Sequence, residues 1–163
     1  RSATFSLPRG YPGMLPPGRE ERMPLKLSLK PGERFVVNGA VLQNGDRRAV
    51  LLLQNKASIL REKDIIQPDD VNTPGRRIYF PIMMMYLDPS EAEKFYDEFV
   101  MRLNEFMGAI RSTDVLKECV SLSREVMSAD YYKALTRCRK LLTYEQGLLG
   151  NVHSGLSDGG EED

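Results

Sequence analysis

Leu25, Leu27 and Leu29 alternate with Lys26, Ser28 and Lys30, the period-two pattern of a half-buried strand, and Pro31-Gly32 ends it. Arg34-Phe35-Val36-Val37 predicts a second strand. Asn38-Gly39 then supplies the pair that a type I′ hairpin turn requires, because both central residues of that turn take positive φ. Ala40-Val41-Leu42 is the expected return strand, Asn44-Gly45-Asp46 a second turn, and Ala49-Val50-Leu51-Leu52-Leu53 a fourth strand. After Gln54-Asn55-Lys56, Ala57-Ser58-Ile59-Leu60 predicts a fifth, running on into Arg61-Glu62-Lys63-Asp64-Ile65-Ile66. Short strands with tight turns imply a small meander or partly open barrel. A unit of that size needs a partner subunit or the rest of the chain to complete its core.

The period changes after Asp88-Pro89, an N-cap followed by proline at the first helical position, with Glu91 and Glu93 placed to suit the helix dipole. Ala92, Phe95, Tyr96, Phe99, Leu103, Phe106, Met107 and Ile110 follow at three-four spacing and predict a long amphipathic helix. Ser112 or Thr113 should cap a second helix, with Leu116, Cys119, Leu122 or Ser123, and Val126 inward. Ser128 should cap a third, with Tyr131, Leu135, Cys138 and Leu142 inward. The short breaks predict antiparallel neighbours.

The expected fold is therefore α+β: a small N-terminal five-stranded antiparallel β module, then a three-helix C-terminal unit. Residues 1–22, rich in Pro and Gly, read as a disordered leader, and Met23 as the natural start. Residues 23–78 form the β-rich module, 79–88 an apolar Met-rich connection, 89–146 the helices, and 147–163 a disordered acidic tail.

Composition narrows the chemistry. The chain of 163 residues balances 23 Lys and Arg against 23 Asp and Glu. The balance is uneven along it: residues 23–87 hold ten basic and six acidic side chains, residues 88–146 nine and eleven. The longest apolar run, Ile82 to Leu87, falls far short of the ~18–20 residues of a membrane span. Two cysteines and no signal-like segment suggest a reducing, cytoplasmic setting. The one histidine, His153, lies in the tail, so the folded parts offer no histidine triad and no histidine metal site.

No phosphate-binding glycine loop, paired-cysteine metal spacing or nucleophile elbow is present, and neither catalytic residues, metal ligands nor cofactors are expected. Cys119 and Cys138 fall on apolar helix faces, where they act as small hydrophobes. Asp69-Asp70 is an adjacent carboxylate pair in a Pro-flanked loop, an arrangement that is ordinarily just solvated. Met83-Met84-Met85, beside Tyr79-Phe80-Pro81 and Tyr86, is either a buried gap-filling segment or an adaptable partner surface. The basic residues are the main lead. Lys26, Lys30, Arg34, Arg47, Arg48, Arg61, Lys63, Arg76 and Arg77 cluster at turns and strand ends, where they could meet phosphates along one sheet edge. Lys133, Arg137 and Lys140 form a second basic stripe, which with Tyr132 could serve a protein partner; such stripes are also often merely solvated.

Several blocks resemble one family. Met23 to Arg34, Val36-Val37-Asn38-Gly39-Ala40, Gln54-Asn55-Lys56-Ala57, Leu60 to Ile65, Arg77-Ile78-Tyr79-Phe80-Pro81 and Tyr131-Tyr132-Lys133-Ala134-Leu135 are similar, in uninterrupted order, to the flagellum biosynthesis repressor family FlbT. The resemblance implies a non-enzymatic protein that binds the 5′ leader of flagellin mRNA and alters its translation and decay, with either sign of regulation. A homodimer is expected because the exposed edges of the small sheet must be paired or covered; another flagellar regulatory protein of the FlaF type is a further expected partner, with no membrane and no small-molecule substrate. Leu25 to Glu33 and Leu60 to Ile65 are also similar to the first and last strands of CsrA-type carbon storage regulators, which are interleaved five-stranded dimers. By that likeness Lys26, Lys30 and Arg61 would meet RNA at a composite edge, although Leu29 stands where those regulators usually carry a basic residue. Bases would be read along strand edges, with stacking on Phe35 or Tyr79. The alternative is an adaptor whose helical half and Met83–Met85 bind another flagellar protein, so that any effect on mRNA is indirect.

Overall fold

A computed structural model describes residues 25–156. The expected leader lies outside the described residues, as does the end of the expected tail, residues 157–163. The chain divides into two compact units between Lys63 and Asp64. The sequence reading places that boundary later, after Ile78.

The first unit holds five strands: β1 (Leu25–Leu29), β2 (Arg34–Val37), β3 (Ala40–Gln43), β4 (Ala49–Leu53) and β5 (Ile59–Arg61). They form two sheets, β1–β4 and β3–β2–β5, all pairs antiparallel. β2 and β3 close on Asn38 (φ 48°) and Gly39 (φ 82°), both left-handed as a type I′ turn demands. β1 and β4 continue the same hairpin beyond a corner. There Gly32 N–H donates to Gly45 O at 2.8 Å and Asn44 N–H donates to Glu33 O at 2.8 Å. Where a small meander or partly open barrel is expected, β1 to β4 form one long bent hairpin, with β5 added to the outer edge of β2. Pro31-Gly32 and Asn44-Gly45, read as separate turns, bond to each other and carry both arms round together.

The second unit has four helices, not three: α1 (Pro74–Leu87), α2 (Ala92–Ala109), α3 (Thr113–Met127) and α4 (Tyr131–Leu156). α1 occupies the stretch read as a connection. Thr73 caps it, its hydroxyl accepting from Arg76 N–H at 3.2 Å, and Pro74 takes the first position. Its hidden residues, Gly75, Ile78, Tyr79, Pro81, Ile82, Met83 and Met85, lie on most sides of the helix. Its less buried side carries Phe80, Met84 and Leu87, so the run shows no polar stripe, period-3.6 reasoning passes over it, and Pro81 adds a false stop signal.

Asp88 caps a 3₁₀ turn, Pro89–Glu91, that leads into α2, and Ser112 caps α3. Ser128 proves to be the C-cap of α3. Its expected role passes to Asp130, whose carboxylate accepts from Lys133 N–H at 3.4 Å. α4 runs on to Leu156, past Gly147 where the sequence reading begins the tail. Contacts fix the arrangement. Gly75 meets Glu145, while Tyr86 lies 5.8 Å from Tyr132 ring to ring, so α1 and α4 are antiparallel. Arg137 reaches back to Glu125 and Glu118, making α3 and α4 a hairpin. The core comprises Phe99, Leu103 and Phe106 of α2, Cys119, Leu122 and Val126 of α3, and Ala134, Leu135, Cys138 and Leu141 of α4, around the buried face of α1. No helix among the described residues is long and apolar enough to cross a membrane.

Candidate nucleic-acid interface

Residues 25–63 carry eight Lys and Arg against three acids, and the corner of the hairpin decides where several of them go. In β2–β3, Val37 faces Ala40 and Arg34 faces Gln43. Unbroken register would then set Leu29 against Arg48. Leu29 faces Ala49 instead, so the arm leading to β4 carries one extra residue at the corner. Asn44 fills that irregularity: its side-chain amide donates at 2.8 Å to both Lys30 O and Arg47 O. A one-residue slip exchanges the two faces of a strand. Here it places Lys26 opposite Leu52 and Ser28 opposite Val50, with Lys30 and Arg48 as the next residues beyond the Leu29–Ala49 pair.

Directly opposed residues share a face. One face of the β1–β4 ribbon is therefore Lys26, Ser28, Val50 and Leu52, continued at the corner by Lys30 and Arg48. The other carries Leu25, Leu27, Leu29, Ala49, Leu51 and Leu53, of which Leu29 is buried at 3% exposure while Leu25 and Leu51 are exposed. Lys26, Lys30 and Arg48 are all exposed, while Val50 and Leu52 stand 56% exposed between them. Interleaved cations and apolar side chains on a strand surface can hold phosphates while giving bases an apolar platform. Arg47 is exposed beside Arg48 at the corner.

Arg61 plays a different part. Its guanidinium bonds the Glu33 carboxylate at 2.9 Å and Ser28 O at 2.6 Å, tying β5 to the end of β1. Glu33 also accepts from Lys30 N–H at 2.8 Å, and that bond, with the Arg61 charge, holds its carboxyl below the usual range. Arg61 is thus engaged within the unit and braces the chain that carries Lys30. Arg34 and Lys63 are exposed near it, and Arg34 N–H donates to Glu62 at 3.2 Å.

Other expected residues fall outside this group. Arg76 and Arg77 lie in the first turns of α1, in the second unit, and Arg76 donates to Asn72 Oδ1 at 2.9 Å and to Asp70 O at 3.3 Å. Phe35 is 4% exposed and Tyr79 1%, with the Tyr79 hydroxyl donating to Asp64 O at 2.6 Å. Neither ring has a face open to a base, so stacking on them is withdrawn. Met83 and Met85 are buried and Met84 half-buried, the gap-filling alternative. In the stripe on α4, Tyr132, Lys133 and Lys140 are exposed, but Arg137 is held by Glu125 at 2.8 Å and Glu118 at 2.6 Å.

Sequence reasoning missed Val50 and Leu52 as surface residues. The run Ala49–Leu53 is apolar throughout and signals no exposed side; the register alone supplies it. Burial pushes the Cys119 thiol up to about 11 and raises Cys138 as well, which suits small buried hydrophobes. Asp69 and Asp70 are exposed in a 3₁₀ turn, and no group of three metal-ligating side chains occurs among the described residues.

Comparison with known proteins adds an independent line. A family model described as flagellar protein FlbT matches residues 25–149. A probable flagellum biosynthesis repressor protein FlbT of Caulobacter vibrioides (strain NA1000 / CB15N) is 67% identical over 139 residues, covering 85% of this chain and 99% of the relative. Relatives bearing the same description are 65% identical in Caulobacter sp. (strain K31), over 80% of this chain and 99% of the relative, and 39% identical in Rhodopseudomonas palustris (strain TIE-1), over 78% and 98%. No solved structure matches the chain. With the family model spanning both folded units, and full-length relatives this similar, the chain belongs to the FlbT family of flagellar proteins.

Proposed function

We propose that this protein is a non-enzymatic, cytoplasmic regulator of flagellin synthesis. It binds the 5′ leader of flagellin mRNA through the face of β1 and β4 that carries Lys26, Lys30 and Arg48. Relatives described as flagellum biosynthesis repressors support the regulatory role. The observation that carries the RNA reading is the register slip that aligns three exposed cations with Val50 and Leu52. Phosphate contacts from the cations supply affinity, and unstacked bases of a single-stranded leader meet the apolar positions between them. Leader occupancy then alters ribosome access and decay. A homodimer fits the same unit: Val41, Leu42 and Leu51 are also exposed, and a two-stranded ribbon gains stability when such side chains are covered.

The test is an anisotropy titration of the full chain against a flagellin mRNA leader and a shuffled RNA over a salt series. The leader should bind preferentially. Lys26→Ala, Lys30→Ala and Arg48→Ala should each weaken binding and lower the salt slope by about 0.7 per lost contact. Equal binding to both RNAs, or a slope unchanged when all three substitutions are combined, overturns the reading. Arg61→Ala is a poor probe, because it also breaks the Glu33 brace.

A further inference from the structure

In the helical unit α2 packs on α1 and α3 on α4, while α2 and α3 run antiparallel with their backbones further apart. The seam between them is lined by a chain of depressions. At the N-terminal end of α2 a groove of about 500 Å³ lies between Tyr96 and Met127, floored by Met85. Further along, a cavity of about 220 Å³ lies between α2 and α3, and a depression of about 350 Å³ on the adjoining flank of α3 alone shares Val120 and Arg124 with it. Val120 is 43% exposed and Met127 70%, although both belong to a helix whose opposite side is core. The lined stretch of α2, residues 92–107, is about 23 Å long, some four helical turns.

The charges along the seam are sorted. Glu93 and Asp97 line the first groove, with no cation in its wall. Arg124, in the last turn of α3, lines the middle of the seam and Lys117 its far end, with no acid in either wall. All four are exposed, and none takes part in an ion pair among the described residues. An RNA would be repelled by the acidic end, and a small molecule would not fill an open trough of this length.

We propose that the α2–α3 seam docks an amphipathic helix of a partner protein, about four turns long. Its apolar stripe would enter the depressions, with acidic residues in its N-terminal half, reaching Lys117 at the far end and Arg124 at the middle of the seam, and basic residues at its C-terminal end beside Glu93 and Asp97. The docked helix lies antiparallel to α2. That charge order also suits the macrodipole of the incoming helix, so both effects favour one orientation. The inference is independent of RNA binding by the β unit.

The probes are two fluorescent helical peptides of about 18 residues with the same leucine stripe, one with glutamates first and lysines last, the other reversed. Against the full chain, the first should bind with Kd on the order of 100 µM and the reversed peptide about tenfold more weakly at low salt, as several exposed charge pairs turn from attraction to repulsion. Val120→Glu should abolish binding while circular dichroism and leader RNA binding stay unchanged. The quadruple variant Glu93→Lys, Asp97→Lys, Lys117→Glu, Arg124→Glu should invert the preference, and it reads the groove even if Val120→Glu misfolds. Equal affinities, or no binding of either peptide, overturn the proposal. So does a chain dimer that dissociates in Val120→Glu, because a second copy would then be the occupant.

Discussion

Glu145 of α4 is only 8% exposed, yet it has no cationic partner among the described ion pairs. Its carboxylate accepts from Gly75 N–H at 2.9 Å and from the Thr73 hydroxyl at 2.8 Å, at the N-terminus of α1. It thus stands where helix amides lack partners and the dipole favours negative charge. Glu145→Ala leaves the buried Gly75 amide unpaired, at about 1–3 kcal/mol. The lost dipole interaction adds about 0.3–1 kcal/mol. Relief from holding a carboxylate away from water returns part of this. The net expectation is about 2 kcal/mol of destabilisation.

Gly75 allows the close approach. A Cβ there would lie 2.8 Å from Glu145 Oε2 and 2.9 Å from Leu142 Cδ2. Gly75→Ala should therefore cost about 1 kcal/mol, overpacking of about 1–3 kcal/mol being partly offset by the ~1 kcal/mol helix preference of alanine. In the Glu145→Ala background the carboxylate is gone and only the flexible end of Leu142 opposes the new methyl, so Gly75→Ala should become neutral or stabilising. Urea unfolding followed at 222 nm, which reads the helical unit, measures the cycle. A coupling of about 1–2 kcal/mol is expected between the two sites. Equal costs for Gly75→Ala in both backgrounds would refute the clamp.

Arg137→Ala strands the buried Glu125 carboxylate and should cost about 2–4 kcal/mol in the same assay, whereas loss of an ordinary surface ion pair would cost under about 1 kcal/mol. Because burial lifts Tyr79 to about 12, the unfolded chain ionises first, near 10; stability should be full below pH 10 and fall from there toward 12. Tyr79→Phe should flatten that decline, and an unchanged alkaline profile would count against it. Glu33 is shifted the other way: its contribution is present above its ordinary value of 4.5 and lost as the pH falls below it, so the strands should loosen in acid, and less so in Glu33→Gln, as read by amide exchange. Native Cys119 and Cys138 should react with a thiol reagent at pH 8 far more slowly than in denaturant, and rapid labelling of both would contradict their burial.

Local chemistry determined much of this protein. The Asn38-Gly39 turn, the strands at its sides and the caps at Asp88 and Ser112 rest on backbone preferences within a few residues, so they are legible in the sequence. The cysteines are legible too, because their neighbours at three-four spacing share a buried face. Tertiary structure decided what depends on contacts distant in sequence. α1 carries apolar residues on its half-buried side as well as its core side, so they follow no period, and one end of it is held by Glu145, some seventy residues further along. Arg61 looks like its basic neighbours until Glu33 and Ser28 are folded against it. The candidate RNA face rests on a single extra residue at the corner near Asn44: in a strand one position exchanges the two faces, and no local pattern states which residue the partner strand will set opposite.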